Sequence, residues 1–328
     1  MCGIVGYIGF RQAYPVVING LKRLEYRGYD SAGICVIDKD PVTYKCKGKV
    51  VDLETLVGKQ LNGQIGIGHT RWATHGEPND VNAHPHESMN GKFILIHNGI
   101  IENYSNLRCK LEKRGYTFKS ETDTEVLVNL IEYIYLKGNV TPEIAVRLAL
   151  TKVVGAYGIV VVNRDEPDTL IAARKGSPLV IGVGEGEYFV ASDATPIVEY
   201  TNSVIFLNDN DVAILKKDQM VLKTIYNEAL EPNIQVLDLD IEAIEKGGFE
   251  HFMLKEIYEQ PRSIHDTFRG RIALDPAEIH LGGLYKVLPN LIDAKRIILI
   301  GCGTSWHAAQ VGEYLLEEIA RIPVEVEY

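Results

Sequence analysis

The sequence predicts an α+β protein of stacked β-sheets with outer helices, followed by the opening of a second, α/β domain. Three observations carry this. Short β-rich runs, separated by Gly, Asn and Asp turn residues, fill the first 215 residues. Helical patterns interleave with them in blocks rather than one per strand. Beyond Asp238 the pattern changes to a single strand–loop–helix–strand unit.

Strands are expected at Gly3–Ile8, Gly33–Ile37, Phe93–His97, Gly158–Asn163, Tyr188–Ala191, Val204–Leu207 and Val212–Leu215. The clearest helix shows Val126, Leu127, Leu130, Ile131 and Ile134 on one 3.6-period face. Thr122 is placed to cap it, with Glu125 three residues on to complete a capping box. Asn103–Arg114 and Pro142–Val153 are further helix candidates. Asp238–Gly248 is acidic, ends in Gly247-Gly248 and reads as a linker. A helix is expected from Phe249 to about Phe268. Arg296–Ile300, the Gly301–Ser305 loop, Trp306–Ala320 and Val324–Tyr328 then make one βαβ unit. A lone βαβ unit cannot cover both faces of a parallel sheet. The expected organisation is therefore a first domain over 2–238, a linker over 239–249, and an incomplete, loosely held domain over 250–328.

The chain has 328 residues, 46% of them hydrophobic and 24% charged, which suits two globular domains. A formal net charge of −10 leaves no basic surplus for nucleic acid or an anionic membrane. No apolar run approaches the roughly 20 residues that span a bilayer, and Gly3–Gly9 is too short for a signal peptide. A cytoplasmic location is expected. The five cysteines (Cys2, Cys35, Cys46, Cys109 and Cys302) are odd in number, widely spaced and without a C-x-x-C pair. They form neither a disulfide framework nor a zinc motif. His84-Pro85-His86 has no partnered cluster that would make it a metal site, so no metal and no cofactor are expected.

Five constellations carry chemistry. Cys2 follows Met1 directly. Removal of that methionine makes the cysteine N-terminal and sets its thiol beside a free α-amino group, a nucleophile with its own base. The alternative is a small buried residue opening a strand. His97-Asn98-Gly99 follows an apolar run and offers a side-chain amide and a backbone N–H to one point, as an oxyanion hole requires. Asn-Gly is also the common hairpin turn. In His69-Thr70-Arg71-Trp72-Ala73-Thr74-His75-Gly76, Arg71 has the planar fork for a carboxylate, and Thr74 and His75 add donors. Otherwise it is a loop whose Arg pairs with a surface acid and whose Trp is core. Asp123 can hold an ammonium or simply favour the start of a helix. Gly301-Cys302-Gly303-Thr304-Ser305 is either a phosphate cradle or an ordinary βα turn. Trp306 stands where the dinucleotide pattern wants a third Gly.

Taken together, these segments resemble the glutamine–fructose-6-phosphate amidotransferase family, the glucosamine-6-phosphate synthases. The similarity rests on Met1-Cys2-Gly3-Ile4-Val5-Gly6-Tyr7, on Leu24–Gly33 (LEYRGYDSAG), on His69–Gly76, on His97–Asn103 and on Ser120–Glu125. Amidophosphoribosyltransferase and the glutaminase domains of asparagine and glutamate synthases share part of it. His251–Pro261 and the Gly301–Ser305 loop resemble the start of the sugar isomerase (SIS) half and set the first family apart.

The resemblance implies an N-terminal-nucleophile (Ntn) hydrolase αββα sandwich, then the start of an α/β SIS domain. It implies that Cys2 attacks the amide of L-glutamine, that Asn98 and Gly99 stabilise the oxyanion, and that Arg71 and Asp123 hold the α-carboxylate and α-ammonium. Trp72, Thr74 and His75 would lie at the glutamine site, Arg27 would order the nucleophile, and Thr304 and Ser305 would belong to a site for fructose 6-phosphate. A homodimer is implied for the full-length form. The synthases continue well past Tyr328, so a glutaminase with an incomplete isomerase half is expected. Competing readings are an N-terminal-nucleophile amidase for another amide, a glutamine-sensing module without turnover, and, more distantly, a nicotinamide oxidoreductase.

Overall fold

The computed structural model describes residues 2–28, 30–58, 61–72, 76–237, 249–268, 271–274, 277–279 and 287–328. The chain divides into two compact units, Met1–Glu245 and Lys246–Tyr328. Apart from Phe249, the expected 239–249 linker lies outside the described residues.

In the first unit the strands are β1 (Gly3–Ile8), β2 (Ser31–Ile37), β3 (Pro41–Lys47), β4 (Ile65–Arg71), β5 (His86–Glu87), β6 (Phe93–Ile101), β7 (Gly155–Asn163) and β8 (Leu170–Lys175). They continue with β9 (Val180–Gly184), β10 (Glu187–Ala191), β11 (Ser203–Phe206), β12 (Asp211–Lys216), β13 (Gln219–Thr224), β14 (Ala229–Leu230) and β15 (Gln235–Val236). They form two sheets, β15-β11-β9-β10-β1-β4-β2-β3 and β14-β13-β12-β8-β7-β6-β5, and the strands within each pair antiparallel.

Side chains alternate between faces along a strand, and that parity builds the layers. Ile4 and Ile8 of β1, Ile65 and Ile67 of β4, and Ile94 and Ile96 of β6 meet in the core between the sheets. The opposite residues, Val5 and Tyr7, pack under α1 (Ala13–Leu24) and α2 (Val50–Val57). Phe93 and Leu95 pack under α3 (Tyr104–Glu112), α4 (Asp123–Gly138) and α5 (Pro142–Leu150). The order of layers is helix, sheet, sheet, helix. Each fully buried Ile, Leu or Val contributes about 1.5–3 kcal/mol. Three stacked cores offset the cost of the buried polar residues at one end of the sandwich.

The strand pattern and the three expected helices appear, with instructive differences. β6 runs through His97 to Ile101, so Asn98-Gly99 is not a hairpin turn: Asn98 pairs with Gly158 and Gly99 with Tyr157. His69–Arg71 is the end of β4 and not a loop. Its polar residues continue the inward face begun by Ile65 and Ile67, which hides the alternation from hydropathy. Only half of the α4 capping box forms. Thr122 Oγ1 accepts the Glu125 N–H at 3.3 Å, but Ser120 Oγ takes the Thr122 N–H. The Glu125 carboxylate accepts instead from the N–H groups of Lys119 (2.8 Å) and Ser120 (2.6 Å).

In the second unit, a helix spans Phe252–Phe268, Ile272–Leu274 pairs with Ala277–Ile279, and a short helix spans Leu288–Ile292. Ile297–Ile300 pairs in parallel with Val324–Glu327, and the helix Thr304–Ala320 connects them. This is the expected βαβ unit, its helix starting two residues early. Among its described residues only Lys255 and Val324 are buried, while Ile300 and Ile319 are more than 70% exposed.

Candidate active site

The alternation that fills the inter-sheet core with isoleucine places polar groups on the same face at its end. Cys2 precedes Ile4 on β1, His69 and Arg71 follow Ile67 on β4, and Asn98 follows Ile96 on β6. Antiparallel pairing sets Ile4 opposite His69 and Ser31 opposite Arg71. The polar ends converge on a cavity of about 330 Å³ whose lining includes Cys2, Arg71, Trp72, Asn98, Gly99 and Asp123. Cys2 and Asn98, 96 positions apart in sequence, thus share one wall.

Cys2 is partly buried, and its sulfur is bracketed by the backbone N–H and carbonyl of one residue, Trp72. The Trp72 N–H donates to Sγ at 3.1 Å, and the thiol donates to the Trp72 carbonyl at 3.5 Å. Burial pushes the thiol pKa up, and the Trp72 N–H opposes that shift. A thiol held protonated in this way needs a base to become a nucleophile.

Asn98 Nδ2 donates to the Cys2 carbonyl at 3.0 Å. Gly99 beside it has φ +124°, and a Cβ there would lie 2.1 Å from the Ala156 carbonyl oxygen. No other residue fits without moving β7, so glycine here serves the backbone conformation and not a turn. An amide side chain and a strand N–H at a cavity wall are the donors a tetrahedral oxyanion needs.

Arg71 is buried and donates to the carbonyls of Gly76 (3.1 Å) and Glu77 (3.5 Å), which ties the end of β4 to these two residues. Trp72 is 49% exposed. The bland alternative, a surface Arg beside a core Trp, is reversed. Thr74 and His75 lie outside the described residues. Asp123, the first residue of α4, is buried, and its Oδ2 accepts the Ile101 N–H at 2.7 Å, which ties α4 to β6. Arg71 and Asp123 therefore set one cation and one anion on the same cavity. Arg27 ends the short 3₁₀ turn Glu25–Arg27. Thr304 and Ser305 are exposed and open the helix of the second unit; Gly303 before them has φ +60°.

Four buried histidines gather at this cavity, His84 and His97 on its wall, and no sequence pattern marked the four as one cluster. The rings of His69 and His84 lie 4.2 Å apart, and those of His84 and His86 lie 4.7 Å apart. Thr124 Oγ1 bonds both His97 Nδ1 (3.0 Å) and His84 Nε2 (2.9 Å), and Thr122 Oγ1 bonds His86 Nε2 (3.1 Å). Burial lowers the pKa of all four, that of His69 to about 3, so they are neutral. Among the described residues no three His, Cys, Asp or Glu side chains are grouped to hold a metal ion. The signal available in the sequence was parity: His69 continues Ile65 and Ile67. Gly33 admits the 81–86 segment, since a Cβ there would sit 2.0 Å from the His84 carbonyl oxygen. Lys45 pins that segment through the Val81 and Ala83 carbonyls.

Residues 56–247 match the family model of the glutamine amidotransferase domain, and residues 290–328 match that of the SIS domain. The glutamine–fructose-6-phosphate aminotransferase (isomerizing) of Chlorobaculum tepidum is 55% identical over 100% of this chain and 54% of its own length. The protein of the same name from Bacteroides thetaiotaomicron is 54% identical over the same shares. The chain spans about half the length of the curated relatives it matches. Among solved structures, the B. subtilis glutamine phosphoribosylpyrophosphate amidotransferase is similar at TM-score 0.61 and 22% identity, over 99% of this chain and 65% of that one. The allosteric regulatory enzyme of purine biosynthesis is similar at TM-score 0.62 and 23% identity, over the same shares. The fold is an Ntn-hydrolase αββα sandwich followed by the start of a SIS domain.

Proposed function

Because this chain belongs to the glutamine amidotransferase family, we propose that its first unit hydrolyses L-glutamine, with Cys2 as an N-terminal nucleophile. The observation that carries the reading is the convergence of Cys2, Asn98, Gly99, Arg71 and Asp123 on one cavity. Zwitterionic glutamine needs one cation and one anion to fix its α-carbon, and Arg71 and Asp123 supply them.

Once Met1 is removed, the α-amino group of Cys2 takes the thiol proton as sulfur attacks the amide carbon. The Asn98 amide and the Gly99 N–H take up the developing oxyanion charge. Collapse of the tetrahedral species returns the proton to the departing nitrogen and expels ammonia, leaving a thioester. Water, deprotonated by the same amino group, then releases glutamate. Trp72, Thr74 and His75 border the bound glutamine, and Arg27 supports the nucleophile. The domains of this reading are a glutaminase over 2–238, a linker over 239–249 and an incomplete SIS domain over 250–328.

The relatives' name and the SIS match support ammonia transfer to fructose 6-phosphate in the longer protein, with Thr304 and Ser305 at the sugar phosphate and a homodimer as the working form. The test is glutamate and ammonia release from glutamine by the purified chain, with intact mass establishing loss of Met1. Equimolar products, absent in Cys2→Ala, support the reading. Saturable glutamine binding without glutamate, in chain lacking Met1, would replace it with a sensing module.

A further inference from the structure

We propose that His69 is the positioning residue of the oxyanion hole, fixing which end of the Asn98 amide faces the reacting carbon. This rests on the reading of Asn98 as an oxyanion donor.

His69 Nε2 lies 3.1 Å from the His97 carbonyl oxygen and 2.9 Å from Asn98 Oδ1. A carbonyl only accepts, so Nε2 must carry the ring proton. Burial, which lowers this ring's pKa to about 3, leaves room for no second proton, and Nδ1 is a bare nitrogen with no hydrogen-bond partner. The neighbour of Nε2 on Asn98 must then also be an acceptor, and that neighbour is Oδ1. Amide orientation is otherwise ambiguous; here it is settled from both sides. Flipping the amide would set Nδ2 against the Nε2 proton and Oδ1 3.0 Å from the Cys2 carbonyl, two repulsive contacts in place of two hydrogen bonds. One imidazole N–H thereby holds both the backbone carbonyl before Asn98 and its side chain. Asn98 is left donating toward Cys2.

His69 reaches neither Cys2 nor the space where substrate binds, so its effect is on kcat through Asn98. Glutamine places its side-chain nitrogen as many bonds from Cβ as Nε2 of histidine, whereas asparagine mimics Nδ1. The pair His69→Gln and His69→Asn therefore separates hydrogen bonding from bulk. Glutamate release should fall by about 10–100-fold in kcat in His69→Asn, below the 10²–10³ for losing an oxyanion donor outright. KM for glutamine should stay within about threefold, and His69→Gln should recover most of the rate. Alkylation of Cys2 by iodoacetamide, which forms no oxyanion, should be unchanged in both variants.

Equal activity of His69→Gln and His69→Asn, or slowed alkylation, overturns the inference. Asn98→Ala is the control: if it alone loses kcat, the inference fails while Asn98 keeps its role, and if it is fully active, that role fails too. Should His69→Asn not fold, nitrogen NMR of the wild-type chain decides. An Nε2–H tautomer at His69 is expected, and an Nδ1–H tautomer overturns the proposal.

Discussion

The Trp72 N–H points at the Cys2 sulfur from 3.1 Å. The contact belongs to the backbone of Trp72, whose side chain is half exposed. Trp72→Ala should therefore leave thiol alkylation within about threefold of wild type, whereas Trp72→Pro, which has no N–H, should raise the thiol pKa. The pH dependence of iodoacetamide labelling measures this. Equal profiles for the two variants would show that the backbone contact does not act on the thiol.

Arg71 and Asp123 should act on binding and not on chemistry. Asp123→Asn keeps an oxygen to accept the Ile101 N–H but loses the charge. A hydrogen bond to a charged group is worth about 1.5–3 kcal/mol, so KM for glutamine should rise about 10–100-fold. Glutaramate, the same amide without the α-ammonium, should be hydrolysed equally by both proteins. A parallel loss on glutaramate would count against the clamp.

Gly99→Ala should destabilise the fold as well as stop turnover. The left-handed φ costs about 1–3 kcal/mol in a non-glycine residue. The new Cβ, 2.1 Å from the Ala156 oxygen, adds overpacking of similar size. Urea unfolding monitored by tryptophan fluorescence reads the sum. A variant as stable as wild type would mean that β7 yields freely at this point.

The buried histidines predict acid sensitivity. His69 is neutral when folded, with its pKa lowered to about 3 by burial, and has the ordinary value of 6.5 when unfolded. The unfolded chain therefore binds more protons between these values, and stability is complete above pH 6.5 and lost as pH falls toward 3. From pH 7 to 5 this one residue should cost about 2 kcal/mol, and His84, His86 and His97 shift in the same direction. Urea midpoints across that range measure it. In His69→Gln the dependence should be shallower, and an unchanged slope would show that His69 is not the buried neutral group described.

Much of this was legible in the sequence, and the illegible parts have physical causes. β1 and β12 announce themselves by β-rich runs between turn residues, and α4 by its 3.6-residue stripe. Cys2, Arg71, Asn98 and Asp123 were each ambiguous alone and became a set only through resemblance. β4 was hidden because Gly66, Gly68, His69 and Arg71 break the apolar alternation, although the strand is buried along its length. The continuation of β6 past His97 was masked by Asn98-Gly99, a strong local turn signal overridden by pairing with β7. The histidine cluster joins residues 69, 84, 86 and 97 from β4, the 81–86 segment and β6, a proximity that no local pattern encodes.

Acid-quenched mass spectrometry during glutamine turnover, on chain shown to lack Met1, tests Cys2 as the N-terminal nucleophile. A γ-glutamyl thioester is expected on the peptide that begins with Cys2, with no adduct and no glutamate in Cys2→Ala. Sustained glutamate release by Cys2→Ala, or an adduct on another residue, would contradict that role.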